Sequence, residues 1–88
     1  MTPHAKVYLR HFGIGEQDVV CCELCGKQGR ADGSGFDLHH IHGRGKGKDN
    51  INNIMCLCRA CHRKAHEKLH PDVMQAIHDR YLNGQTNY

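Results

Sequence analysis

No stretch of the 88-residue chain approaches the roughly 20 apolar residues that cross a bilayer, so a membrane-spanning helix is not expected. The opening segment Met1-Thr2-Pro3-His4-Ala5-Lys6-Val7 lacks the apolar run of a signal peptide, and a cytoplasmic chain is expected. Neither an internal repeat nor a second domain can be read along the sequence, which leaves one compact domain over residues 1–88. The remaining shortage is length itself. A domain of this size buries too little apolar surface to be stable with ease, so a staple is predicted.

Six cysteines supply the material for one. Cys22-Glu-Leu-Cys25 and Cys58-Arg-Ala-Cys61 are two CxxC pairs, a spacing that lets both thiolates of a knuckle close on one tetrahedral ion. In a reducing compartment such pairs hold zinc, and disulfides are the alternative. A simple zinc finger separates its pairs by about 15–20 residues; here 32 residues lie between Cys25 and Cys58, so a substantial unit is nested between the knuckles. Cys21 and Cys56 remain. They read as small buried apolar residues, with Cys21 an alternative to Cys22 as ligand.

Charge is uneven along the chain. The formal net charge is +3, yet between Arg44 and Lys68 seven basic residues (Arg44, Lys46, Lys48, Arg59, Arg63, Lys64, Lys68) face only Asp49 and Glu67. Such a surplus suits a polyanion such as nucleic acid, or equally a solvated face. Arg44, Lys46 and Lys48 alternate with glycines in Gly43–Lys48, where small neighbours permit close approach to phosphate; with Arg63 they are the candidate DNA contacts.

The pattern predicts an N-terminal helix over about 3–12, capped by Thr2 with Pro3 in its first turn and ending at Gly13. Val19–Gly26 reads as extended chain entering a knuckle, and Gly29–Gly35 as a loop. Phe36–His42 and Asn53–Leu57 read as strands and Arg59 to about His70 as a helix with Ala65 and Leu69 on one face. A last helix over about 71–83 is expected to bury Val73, Met74, Ile77 and Tyr81.

Nine histidines are many for this length, and imidazole is both a metal ligand and a proton acceptor near neutral pH. His62 and His66 lie four apart on the predicted helix and share a face. His39-His40 sits on the strand before them, with Asp37 two residues earlier, of one parity with His39 and open to a solvated or a histidine-orienting role. His42 reads as a surface histidine.

Asp37-Leu-His39-His40-Ile41, Asn53-Ile-Met-Cys-Leu-Cys58 and Cys61-His62, interleaved with the CxxC pairs, resemble the HNH endonuclease motif in its four-cysteine form, over roughly residues 19–68. The resemblance implies an α+β domain: a zinc-stapled beta-beta-alpha metal core flanked by N- and C-terminal helices. It implies His40 as general base and Asn53 as the residue that fixes the loop and orients the base. It implies His39 and His62 as ligands of one catalytic divalent ion (Mg2+, Mn2+, Zn2+, Ni2+ or Co2+), with His66 a third ligand as in the colicin-like branch. Cys22, Cys25, Cys58 and Cys61 would hold a structural Zn2+. The implied activity is metal-dependent endonucleolytic hydrolysis of DNA, by nicking or double-strand cleavage; a zinc-stapled DNA-binding module without catalysis, acting through a partner, is the alternative. Small free-standing proteins of this form occur in bacteriophages and prophages, some beside terminase, which offers packaging proteins as candidate partners in a bacterial cytoplasm. One tension is internal. Strand alternation sends His39 and His40 to opposite faces, so a shared site at these positions predicts a bend or bulge.

Overall fold

A computed structural model describes residues 2–15, 17–31, 35–43 and 45–86. The order is α1 (Pro3–Phe12), β1 (Val19–Cys21), β2 (Gln28–Arg30), β3 (Phe36–His40), a 3-10 turn (Ile51–Asn53), β4 (Ile54–Cys58), α2 (Arg59–Lys68) and α3 (Pro71–Leu82). The expected α+β class is the one found.

α1 starts and stops on local chemistry. Thr2 is extended and its hydroxyl accepts from the Ala5 N–H, while Pro3 brings no N–H that would need a partner. At the other end Gly13 takes a left-handed φ of 65° and its N–H returns to the Arg10 carbonyl at 3.2 Å.

β1 and β2 pair antiparallel around the first knuckle, Val20 opposite Gly29 and Cys21 opposite Gln28. Residues Gly29 and Arg30, expected in a loop, are therefore strand. Two residues of so small a hairpin carry almost no periodic signal, and only the partner strand defines them. Gly29 is required by packing: a Cβ there would lie 2.4 Å from Cε2 of Phe36.

β3 and β4 form the second antiparallel pair, with Phe36 opposite Cys58, Leu38 opposite Cys56 and His40 opposite Ile54. Every residue of β4 is buried, which explains its unbroken Ile-Met-Cys-Leu-Cys run, typical of a strand covered on both faces. Met55 and Leu57 pack with Ile41, Ala65, Met74 and Ile77 on the side of α2 and α3. Ile54 and Cys56 pack with Tyr8, Leu9 and Val20 on the side of α1 and β1. Ile54, Met55 and Leu57 are 0 % exposed, and side chains so buried contribute roughly 1.5–3 kcal/mol each.

Two helix expectations need correction. α2 ends at Lys68 rather than near His70, because Leu69 turns extended at φ −108° and ψ 130°. His70 precedes Pro71, which disfavours helical geometry at that residue, and it caps α3 by accepting from the Asp72 N–H. Leu69 still packs against the core. Val73 is 49 % exposed, not buried. The buried stripe of α3 runs through Met74, Ile77 and His78, and Val73 lies at its edge in the first turn.

Candidate functional site

None of the six cysteines is joined in a disulfide. Cys22, Cys25, Cys58 and Cys61 bring their sulfurs within 4.8 Å of one another, and Cys21 stays outside the group. Cys25 and Cys58 Sγ are 3.7 Å apart. Four thiolates at a Zn–S length of about 2.3 Å around a tetrahedral ion stand about 3.8 Å apart, whereas a disulfide needs about 2.05 Å. The residues therefore fit a structural zinc. Burial works against a Cys58 thiolate, but the Cys61 N–H and the neighbouring thiols outweigh it and bring Cys58 down to about 7. The Cys22 sulfur also accepts from the Cys25 N–H at 3.5 Å, the turn geometry of a knuckle.

The staple closes the base of the β3–β4 pair and begins α2 at Arg59, directly after Cys58. From there helical spacing delivers His62 and His66 to the side of the sheet carrying His39. The donor atoms of these three lie within 4.8 Å of one another. His62 and His66 Nε2 approach to 3.1 Å, and Asp37 accepts from His62 Nδ1 at 3.1 Å. That bond keeps the His62 proton on Nδ1 and leaves Nε2 a lone pair, the arrangement in which a carboxylate orients a metal-binding imidazole. Burial, then the facing His62, His66 and His40 imidazoles, push His39 down to about 4. It is neutral and able to ligate through the whole physiological range. The residues fit one divalent ion.

β3 carries no bulge. Its register with β4 is unbroken from Phe36 to His40, and the Ile41 N–H continues the ladder to the Asn53 carbonyl at 2.9 Å. The expected bend is overturned, and alternation itself provides the arrangement. His39, opposite Met55, turns to α2; His40, opposite Ile54, turns to α1. At the end of the strand both still line one concavity of about 170 Å³ with Leu38, Gly43, His62 and His66.

His40 is 8 % exposed. Its Nε2 is 2.8 Å from Asp49 Oδ1, the ring of His4 on α1 meets its ring at 4.7 Å between centroids, and its buried Nδ1 has no hydrogen-bond partner. Asn53 organises the chain around it. The Asn53 amide donates to the carbonyls of Gly43 (3.2 Å) and Lys48 (2.9 Å) and accepts from the His42 N–H at 2.9 Å, so it pins both ends of the glycine-rich loop. The group hydrogen-bonded to the His40 ring is Asp49, which sequence reading passed over as an ordinary charge. No fixed spacing announces it; a loop folds it back.

The HNH endonuclease family model matches residues 22–68, more than half of the chain. The chain belongs to the HNH endonuclease family. No curated protein and no solved structure gives a significant match. Membership connects the HNH core to nuclease chemistry on DNA, and the four-cysteine cluster is consistent with a zinc-stapled form of that core. The matched segment excludes α1 and α3, so His4 and the buried His78 lie outside it.

Of the candidate DNA contacts, Lys46, Lys48 and Arg63 are exposed, and Arg44 lies outside the described residues. His42 is exposed and bonds Gln75 of α3 at 3.1 Å. Cys56 is buried as expected, and burial first, with the Glu23 carboxylate next, raises its thiol far above the usual range. Among the described residues no helix is long and apolar enough to cross a membrane.

Proposed function

We propose that this protein is a metal-dependent DNA endonuclease that hydrolyses phosphodiester bonds with His40 as general base. The observation carrying the reading is the convergence of His39, His62 and His66 within 4.8 Å in the concavity that His40 also lines. These three would hold one divalent ion. An all-imidazole donor set favours Zn2+, Ni2+, Co2+ or Mn2+ over Mg2+ by ligand preference. When bound, the ion supplies positive charge against the scissile phosphate and the leaving oxygen.

The residues of the chain do the remainder. Asp49 accepts the Nε2 proton of His40, which leaves the lone pair on Nδ1, the buried nitrogen without a partner. A buried unpaired polar atom needs an account, and taking the proton of the attacking water is that account. Asp49 also stabilises the imidazolium that results. Asn53 holds the loop from which Lys46 and Lys48 reach the DNA backbone, and Arg63 adds a contact from α2. The products would carry 5'-phosphate and 3'-hydroxyl ends. Cys22, Cys25, Cys58 and Cys61 hold structural zinc. A setting beside phage packaging proteins is the one that the HNH resemblance suggests.

Cleavage of supercoiled plasmid across a metal series tests the reading. The wild type should cut with at least one divalent ion and folded His40→Ala should not. Equal rates for the two would overturn the assignment. DNA binding with no cleavage under any metal would leave the non-catalytic zinc module in its place.

A further inference from the structure

His39, His62 and His66 account for one group of metal-capable side chains and the cysteines for another, and a third remains. His4, His40 and Asp49 place one donor atom each within 4.8 Å of one another. The group joins three separate pieces of chain: the start of α1, the end of β3 and the loop before the 3-10 turn. His4 is half-buried and the Asp49 carboxylate 46 % exposed, so solvent ions reach the group from one side, while His40 forms its sealed floor.

We propose that His4, His40 and Asp49 form a second divalent-cation site of the zinc class, and that filling it silences the nuclease. Two imidazoles and a carboxylate with an open fourth position make a donor set suited to zinc, whose bonds to nitrogen and oxygen run about 2.0–2.2 Å. Magnesium prefers all-oxygen surroundings and is a poor occupant. The His40 nitrogen facing the carboxylate is Nε2, at 2.8 Å from Asp49 Oδ1. An ion bound there takes the Nε2 lone pair, and the single proton of the neutral imidazole moves to Nδ1. Nδ1 is the nitrogen that otherwise has no partner. Once protonated it has no lone pair for a water proton, so metal at this site and general-base action by His40 exclude each other. The silencing half rests on the assignment of His40 as base; the binding half does not. Cleavage thus rises with the first zinc equivalents beyond the structural ion and falls as the second site fills.

The test compares wild type with His4→Ala and His4→Asp. His4 lies outside the family-matched segment, and circular dichroism with retained structural zinc checks that each variant folds. Equilibrium dialysis against zinc chloride, read by elemental analysis, should show wild type holding one more ion per chain than His4→Ala. Loss of that ligand weakens the site at least about 10- to 100-fold, and His4→Asp restores part of the uptake. Identical zinc isotherms for wild type and His4→Ala overturn the site. In the plasmid assay excess zinc should inhibit wild type and spare His4→Ala; equal inhibition overturns the silencing. If neither protein cuts plasmid with any metal, the nuclease reading falls, and the isotherms still decide the site.

Discussion

His62 and His66 face each other across 3.1 Å at the rim of an open concavity, whereas His78 is 0 % exposed between Glu23 and the Ile51 carbonyl. In the sealed region every polar group is answered. His78 gives Nδ1–H to Glu23 Oε1 at 2.6 Å and Nε2–H to Ile51 O at 2.5 Å. Glu23 Oε2 accepts from the Tyr8 hydroxyl at 2.5 Å and the Cys56 N–H at 3.0 Å. Four bonds tie α1, the first knuckle, β4 and α3 together. Around the concavity the partners are incomplete: the His62 and His66 nitrogens meet each other, and the buried His40 Nδ1 has no hydrogen-bond partner. The same residue type serves both places, and what separates them is whether the surroundings satisfy it. A satisfied histidine fixes the fold, and an unsatisfied one is ready for a ligand or a proton.

The largest perturbation removes what both regions hang from. Cys58→Ser, or zinc withdrawal by a strong chelator, should unfold the chain. Structural zinc in small domains contributes on the order of 10–16 kcal/mol. Circular dichroism would follow the loss, and a chelated protein that kept its fold and near-native melting would break the picture of a zinc staple.

Glu23→Ala should act on the sealed region alone. Removing one partner of a buried ion pair costs about 3–5 kcal/mol, here with Tyr8 and Cys56 also stripped of an acceptor. Denaturant unfolding measures that loss, and the folded fraction should retain uptake of the ion at His39, His62 and His66. His40→Ala should do the reverse: plasmid cleavage falls about 10²- to 10⁴-fold, the range for a general base, while the unfolding midpoint moves far less than in Glu23→Ala. A large stability loss in His40→Ala would erase the distinction between the regions.

Gly29→Ala tests packing apart from either constellation. The added methyl meets the Phe36 ring and should cost about 1–3 kcal/mol by overpacking, relieved by Phe36→Leu in the same chain.

The smallest effect is the pH dependence of the sealed pair. Burial works to lower the His78 value, but the hydrogen bond to Glu23 and its charge outweigh it, so the folded value is raised. A raised folded value means the stabilisation is complete below the unfolded value, about 6.5, and is lost as pH rises through the folded one. Unfolding free energy should therefore decline toward alkaline pH more steeply in wild type than in His78→Gln; parallel profiles would contradict the pairing.

Much of this was legible before folding was considered. Thr2-Pro3 and Gly13 bound α1 because caps are local chemistry, and the CxxC pairs announce themselves because a knuckle is closed by residues three apart. The apolar run of β4 announced a strand, although both-sided burial was not readable from it. His39, Asn53, His62 and His66 stood out as candidates because two local periods and a family motif coincide, and the fold brings the three histidines together. Val73 was misplaced because helical spacing defines a stripe but not where neighbouring elements stop covering it.

The sequence by itself singled out the candidates for metal and acid-base chemistry, since CxxC pairs, a helical His pair and a short family motif are legible along the chain. Only the tertiary structure decided how that chemistry is divided. Strict alternation along β3 turns His39 to α2 and His40 to α1, and loop closure brings Asp49 to the His40 ring. The packing of α1 adds His4, and burial beside Glu23 removes His78 from solvent. Those pairings join residues separated by up to 55 positions in the chain, and no local rule reaches that far.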